Sequence, residues 1–70
     1  MKDYINAQII ETIVPLKQFL YNNHNKCSQT KMYLIKGDKV TILREEGDWL
    51  YILYNGVREI KKWIPRNAVE

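Results

Sequence analysis

The sequence predicts an all-β protein, a small barrel of five to six short antiparallel strands. Three observations carry that expectation. Apolar residues alternate with a period of two over much of the chain, as half-buried strands require. Gly, Asn, Asp and Pro break those runs at short intervals. A chain of 70 residues can bury a core with such strands only if they curl into a barrel or two packed sheets, which also protects their edges. No run has the length and period of a convincing long helix.

From the N-terminus, INAQIIETIV (residues 5–14) puts Ile5, Ala7, Ile9 and Ile13 on one face of a strand and Ile10, Thr12 and Val14 on the other. A helical face through Ile5, Ile9, Ile10 and Ile13 is the alternative. Strand is favoured because Pro15 stops the segment and isoleucine loses side-chain freedom in a helix. LKQFLYNN (16–23) reads as a short extended segment, and the polar run NNHNKCSQTK as a loop reaching about Thr30. Lys31 to Ile35 is the next strand, followed by a turn at Lys36-Gly37-Asp38, where glycine takes φ > 0 without steric cost.

In VTILREEGDWLYILY (40–54), Val40 and Ile42 alternate with Thr41, and Trp49, Tyr51 and Leu53 alternate with Leu50, Ile52 and Tyr54. These are two strands, separated by REEGD, whose glycine suits a hairpin turn. The second is apolar on both faces, which implies a core on one side and a packed or functional surface on the other. Tyr33, Tyr51 and Tyr54 read as half-buried barrel residues. Asn55-Gly56 is the strongest turn signal in the chain and leads into VREIKKWI. Ile64-Pro65 ends the strand that carries Trp63, because proline fixes φ and removes a backbone donor.

Residues 1–70 form a single domain. With 46% hydrophobic and 27% charged residues the composition is that of a folding sequence and not of a disordered one. Eleven Lys and Arg against eight Asp and Glu leave +3, a balance that gives little support to a nucleic-acid partner. A small basic barrel using Lys31, Lys36, Lys39, Lys61, Lys62 and Arg66 would be the nucleic-acid reading, weakened by the interspersed acids. Cys27 and His24 lie in one polar loop. A structural zinc site needs four ligands and a catalytic one three, so the solvated loop is the better reading, and neither a metal nor another cofactor is expected. The single cysteine leaves the redox compartment open. No apolar stretch approaches the roughly 18 residues of a membrane span, and MKDYINAQIIETIVPL lacks a signal-peptide core. The expectation is a chain without membrane insertion. Its compartment is unknown, with a cell envelope setting open if the domain belongs to a longer exported protein.

The order KGDKVTILREEGDWLYI, hairpin, KKWIPRNAVE resembles the second half of an SH3 domain. That family has Gly-Asp before the strand of a long hairpin, a tryptophan opening the next strand, and a closing strand running into a Pro-x-Asn turn and a valine. Gly37-Asp38, Trp49 and Ile64-Pro65-Arg66-Asn67-Ala68-Val69 stand in those places. Upstream, FLYNN and then TKMYLIKGD are similar to the bacterial SH3 branch, where a Leu-Tyr element precedes a loop and a Tyr-Leu-x-x-Gly-Asp strand. The likeness is loose before residue 30 and close from Lys31 onward. It implies an SH3-like barrel with a short 3-10 turn near the C-terminus.

The resemblance also implies a shallow ligand groove. Trp49 would be its floor, Pro65 and Asn67 its wall, and Tyr21 the family's first groove tyrosine, with Tyr51 beside them. Trp63 occupies a slot where bacterial members place a ring that packs as structure, with Lys62 in place of a common glycine. Asn23 and Ala68 stand where peptide-binding eukaryotic members carry two more tyrosines, which removes two of the rings between which polyproline docks. The expected function is a non-catalytic module holding an extended peptide or a peptidoglycan stem, with an acidic turn (Glu45, Glu46, Asp48) next to Trp49. The alternative is a structural or assembly barrel that buries the strand Trp49 to Tyr54 against another protein or domain. A monomer is expected for the binding module. Catalysis finds no nucleophile with a base and an orienting partner.

Overall fold

The computed structural model describes residues 9–70, and within them the chain forms six strands and two single 3-10 turns. The strands are β1 (Ile9–Thr12), β2 (Lys17–Tyr21), β3 (Gln29–Ile35), β4 (Lys39–Glu46), β5 (Trp49–Asn55) and β6 (Glu59–Pro65). The 3-10 turns are Lys26–Ser28 and Arg66–Ala68. The pairings are antiparallel and give one sheet in the order β1-β4-β5-β6-β2-β3. The first segment is thus a strand, paired with β4 from Ile9↔Ile42 to Thr12↔Lys39. Ile5 and Ala7, assigned to its inner face from the sequence, lie outside the described residues.

Burial shows that the sheet is rolled. Ile13, Leu20, Leu34, Val40, Ile42, Leu50, Ile52, Ile64 and Ala68 make one buried cluster, flanked by Tyr54, Ile60 and Val69. Leu34 comes from the last strand of the sheet and Ile13 follows directly on the first, so the two ends meet over a common interior. The C-terminus helps to close it. Ile13 bridges Val69, and Thr12 and Glu70 each donate a backbone N–H to the other's carbonyl at 3.0 Å. Pro15 sits in the corner between β1 and β2 as its fixed φ suggests. The side chain Ile13 keeps inside is carried there by Gly37 N–H donating to the Ile13 carbonyl (2.9 Å).

Two turns differ in detail from the sequence reading. The break expected over REEGD is shorter: Arg44, Glu45 and Glu46 continue β4, past a bulge between Ile42 and Arg44, and Glu46 pairs with Trp49. Only Gly47 and Asp48 turn. Gly47 has φ +58° and Asp48 has no positive φ, the Gly-x pattern of a type II′ hairpin. At the other hairpin the turn is longer. Asn55 pairs with Glu59 across Gly56, Val57 and Arg58, and neither Asn55 nor Gly56 adopts the positive φ that a type I′ Asn-Gly turn uses. Glycine is needed there for room instead: a Cβ on Gly56 would lie 2.8 Å from Cε2 of Tyr54.

Ile64 is fully buried, whereas Val57 at the hairpin tip is fully exposed. Ile64→Ala should lower stability by about 2–5 kcal/mol and Val57→Ala by less than about 0.5 kcal/mol, read as urea midpoints at constant m. Equal effects of the two substitutions would contradict this placement of the core.

Candidate functional site

Side chains alternate across a strand, so the inward orientation of Leu50 and Ile52 sends Trp49 and Tyr51 to the outer face of β5. Ile64 does the same for Trp63 and Pro65 on β6, and Leu20 for Tyr21 on β2. Register then aligns these residues. Trp49 stands opposite Glu46 on one side and Pro65 on the other. Tyr51 stands opposite Arg44 and Trp63, and Trp63 opposite Tyr21. The outer face of β5, β6 and β2 therefore carries a continuous layer of rings.

Their geometry is that of mutually packed aromatics. Tyr21 and Trp49 meet edge to face, centroids 5.0 Å apart and planes at 73°. Tyr51 and Trp63 lie 5.0 Å apart, tilted by 43°. His24 reaches in from the loop after β2 and tilts against Trp63, also at 5.0 Å. Trp63 is buried, with 7% of its surface exposed, yet it is absent from the core cluster. It packs as structure, as its slot implies, but on the outside of the barrel beneath Tyr51 and His24. Tyr21, Trp49, Tyr51 and Pro65 remain half-buried, so each offers part of a ring to solvent.

The loop that supplies His24 is tied by one serine. Ser28 Oγ accepts from the Asn23 amide (3.0 Å) and lies 2.9 Å and 2.8 Å from the carbonyls of Asn23 and Asn25. The Asn22 amide donates to the Ser28 carbonyl, and Lys62 Nζ donates to Asn22 Oδ1 at 2.6 Å. Lys62, read from the sequence as a departure from a glycine, thus anchors the loop. Asn23 is exposed in it, and Ala68 is buried in the core, so neither position adds to the ring layer.

At the far end of the layer sits a depression of about 380 Å³ lined by Asp48, Arg66 and Asn67. Asp48 and Arg66 are the chain neighbours of Trp49 and Pro65, so the depression abuts that pair. Asn67 lies on it, exposed in the 3-10 turn. Arg66 fixes the shape of this end. Its Nε and Nη2 donate to the Gly47 carbonyl (3.2 and 2.7 Å), its Nη1 to Glu45 Oε2 (2.9 Å), and its backbone N–H to the Asp48 carbonyl (2.7 Å). Glu46 pairs with Arg44 at 3.3 Å. Two acids of the turn are therefore held by arginines, and Asp48 is the acid on the depression. A second hollow of about 260 Å³, lined by Ile9, Glu11, Ile42, Glu45, Leu50, Arg66 and Val69, lies on the other side of Arg66 and includes none of Tyr21, Trp49, Tyr51, Pro65 and Asn67.

Of the five residues singled out in sequence, Tyr21, Trp49 and Pro65 come together directly, Tyr51 joins them through Trp63, and Asn67 lies on the adjoining depression. Sequence reasoning missed His24 as a wall of the layer and Arg66 as its brace. The outward position of Trp63 was available from alternation with Ile64; the reach of His24 across a folded loop was not. Among the described residues no group of three or more His, Cys, Asp or Glu side chains is placed to hold a metal ion, and no helix is long and apolar enough to cross a membrane. Cys27 is a free, exposed thiol.

Trp63→Ala should cost about 3 kcal/mol although it empties no part of the central core, whereas Trp49→Ala should cost about 1 kcal/mol, both from urea unfolding. Reversal of that order would mean that Trp49 is the structural ring. Arg66→Lys keeps the charge but loses the forked donation to Gly47; at this half-exposed site it should cost about 1 kcal/mol, and an unchanged midpoint would show that the brace contributes nothing.

Compared with known proteins, the chain matches no family model, no curated protein and no solved structure.

Proposed function

We propose that this domain is a non-catalytic, SH3-like binding module that holds an extended ligand, a peptide or a peptidoglycan stem, along the aromatic layer. The observation that carries the reading is the half-buried Tyr21–Trp49 edge-to-face pair with Pro65 alongside. Two rings locked against each other on a rigid sheet present apolar surface that loses little conformational freedom on binding. Extended ligands suit such a surface because their backbone is accessible on both sides and alternate residues fall on successive rings. Asn67 would supply a polar contact beyond Pro65, and Asp48 would receive a cationic group of the ligand at the depression.

The assembly reading has less to draw on. It needs an apolar face of β5 left for another protein, whereas β5 lies between β4 and β6 with Leu50 and Ile52 in the core and Tyr51 packed on Trp63. In the binding reading the domain acts as a monomer, and its specificity comes from the few groups that rim the rings.

Titration of the isotope-labelled domain with proline-rich peptides and with peptidoglycan fragments tests the proposal by NMR. Saturable shifts should cluster on Tyr21, Trp49 and Asn67, and Trp49→Ala should weaken the binding ligand by at least about 1 kcal/mol while the rest of the spectrum stays folded. Undiminished affinity in that variant would remove the aromatic layer from consideration.

A further inference from the structure

The net charge of the chain resides in one arm of the sheet. From residue 12 to residue 37 the sequence holds Lys17, Lys26, Lys31 and Lys36 and no Asp or Glu; the remainder carries seven basic residues against eight acidic ones, which leaves the +3. That segment is the hairpin of β2 and β3. All four lysines are exposed, and the ion pairs Arg44–Glu46, Lys61–Glu59 and Arg66–Glu45 all belong to the other strands and turns.

The same arm ends the sheet. β3 is its last strand, and among the described residues nothing pairs with the far side of β3. Around it stand apolar side chains in water: Leu16 at 82% exposure, Ile35 at 53%, Tyr33 at 49% and Met32 at 41%. Tyr33 is more open than the half-buried barrel residue the sequence suggests. On the outer face Phe19 pairs with Tyr33 and Lys17 with Ile35, and Lys17 Nζ lies 4.5 Å from the Tyr33 ring centroid and 5.6 Å from that of Phe19.

Backbone alternation indicates where a new strand could pair. Lys36 N–H donates to the Leu16 carbonyl, so at this end the even-numbered amides of β3 turn toward β2 and the odd-numbered ones toward the open side. Ile35 is already engaged there, its N–H donating to Asp38 Oδ2 (3.0 Å) and its carbonyl accepting from Asp38 N–H (3.1 Å). Tyr33 offers the next donor and acceptor, ahead of the irregularity at residues 30–32, where the Met32 amide donates to Thr30 Oγ1 (3.1 Å).

We infer that the free edge of β3 takes an acidic, extended peptide as an added antiparallel strand, pairing from Tyr33 onward. Its apolar residues lie on Tyr33 and Ile35 of the outer face, and its carboxylates, two positions away on that same face, meet Lys17 and Lys31. Lysines on an open edge keep copies of the same chain apart, and an acidic partner turns that repulsion into attraction. A bare polyanion satisfies the lysines but makes no use of the apolar side chains, and a single-stranded nucleic acid, which can stack a base on Tyr33, forms no ladder with the open edge. This site adjoins the aromatic layer on β2 but shares no residue with the Tyr21–Trp49–Pro65 set.

The test is a titration of the labelled domain with a short Glu-Val peptide of repeat Val-Ser-Glu-Ser, which sets Val and Glu on one face when extended, a Glu-Ser counterpart lacking Val, a Lys-Val counterpart with Lys for Glu, and a single-stranded oligonucleotide. Saturable shifts are expected at Lys31, Tyr33 and Lys17 with the Glu-Val peptide alone. Combined Lys17→Glu and Lys31→Glu should weaken that binding about tenfold or more, while Lys61→Glu on the other arm and Trp49→Ala leave it within about twofold. Equal or tighter binding of the oligonucleotide or the Glu-Ser peptide, shifts centred on Tyr21 and Trp49, or indifference to the two charge reversals would each overturn the proposal.

Discussion

The inward packing of Leu50, Ile52 and Ile64 is the constraint on which the rest of this domain depends. These residues occupy the middle of the sheet and are nearly inaccessible to water, and a one-residue slip of either strand would exchange them for their neighbours. Their commitment to the interior dictates what the exterior presents. Trp49, Tyr51, Trp63 and Pro65 have no other side to occupy, and Tyr21 follows because β2 pairs with β6 at Trp63. The domain thus carries a hydrophobic layer on each face of its central strands, one closed by the roll of the sheet and one partly open.

Much of this was legible in the sequence because period-2 patterning is a local property. The strands around Leu34, Val40, Leu50 and Ile64, the turns at Gly37 and Gly47, the short turn after Pro65 and the outward position of Trp49 all follow from neighbouring residues. What escaped depends on contacts between distant segments. REEGD read as the break between two strands because its glycine suits a hairpin turn, but Arg44 and Glu46 pair with each other on the outer face of β4 and Glu45 is held by Arg66. Asn-Gly invites a type I′ hairpin, and the turn instead runs through Gly56, Val57 and Arg58 without positive φ. His24 is one of several polar residues in a loop until the fold carries it over Trp63.

The two surfaces differ in chemistry as well as in place. The aromatic layer borders a turn whose arginines and carboxylates neutralise one another, so rings dominate and charge enters mainly through Asp48. The β2–β3 arm has lysines without carboxylates of its own and an unpaired strand beside them. A small domain buries a smaller share of its apolar side chains than a large one, and here several of those left outside gather in these two regions. The two regions adjoin on the outer face of β2, which carries Tyr21 in the aromatic layer and Lys17 and Phe19 in the basic arm.

Arg66 ties together segments nineteen positions apart in the chain. Its guanidinium reaches the Gly47 carbonyl and Glu45 while its own amide reaches the Asp48 carbonyl, so the tip of the β4–β5 hairpin and the C-terminal turn share a single knot of polar contacts. Energies measured at residues joined in this way do not sum. A substitution at Glu45 removes a partner of Arg66 as well, so the stability of the hairpin tip and that of the C-terminal turn are one quantity and not two.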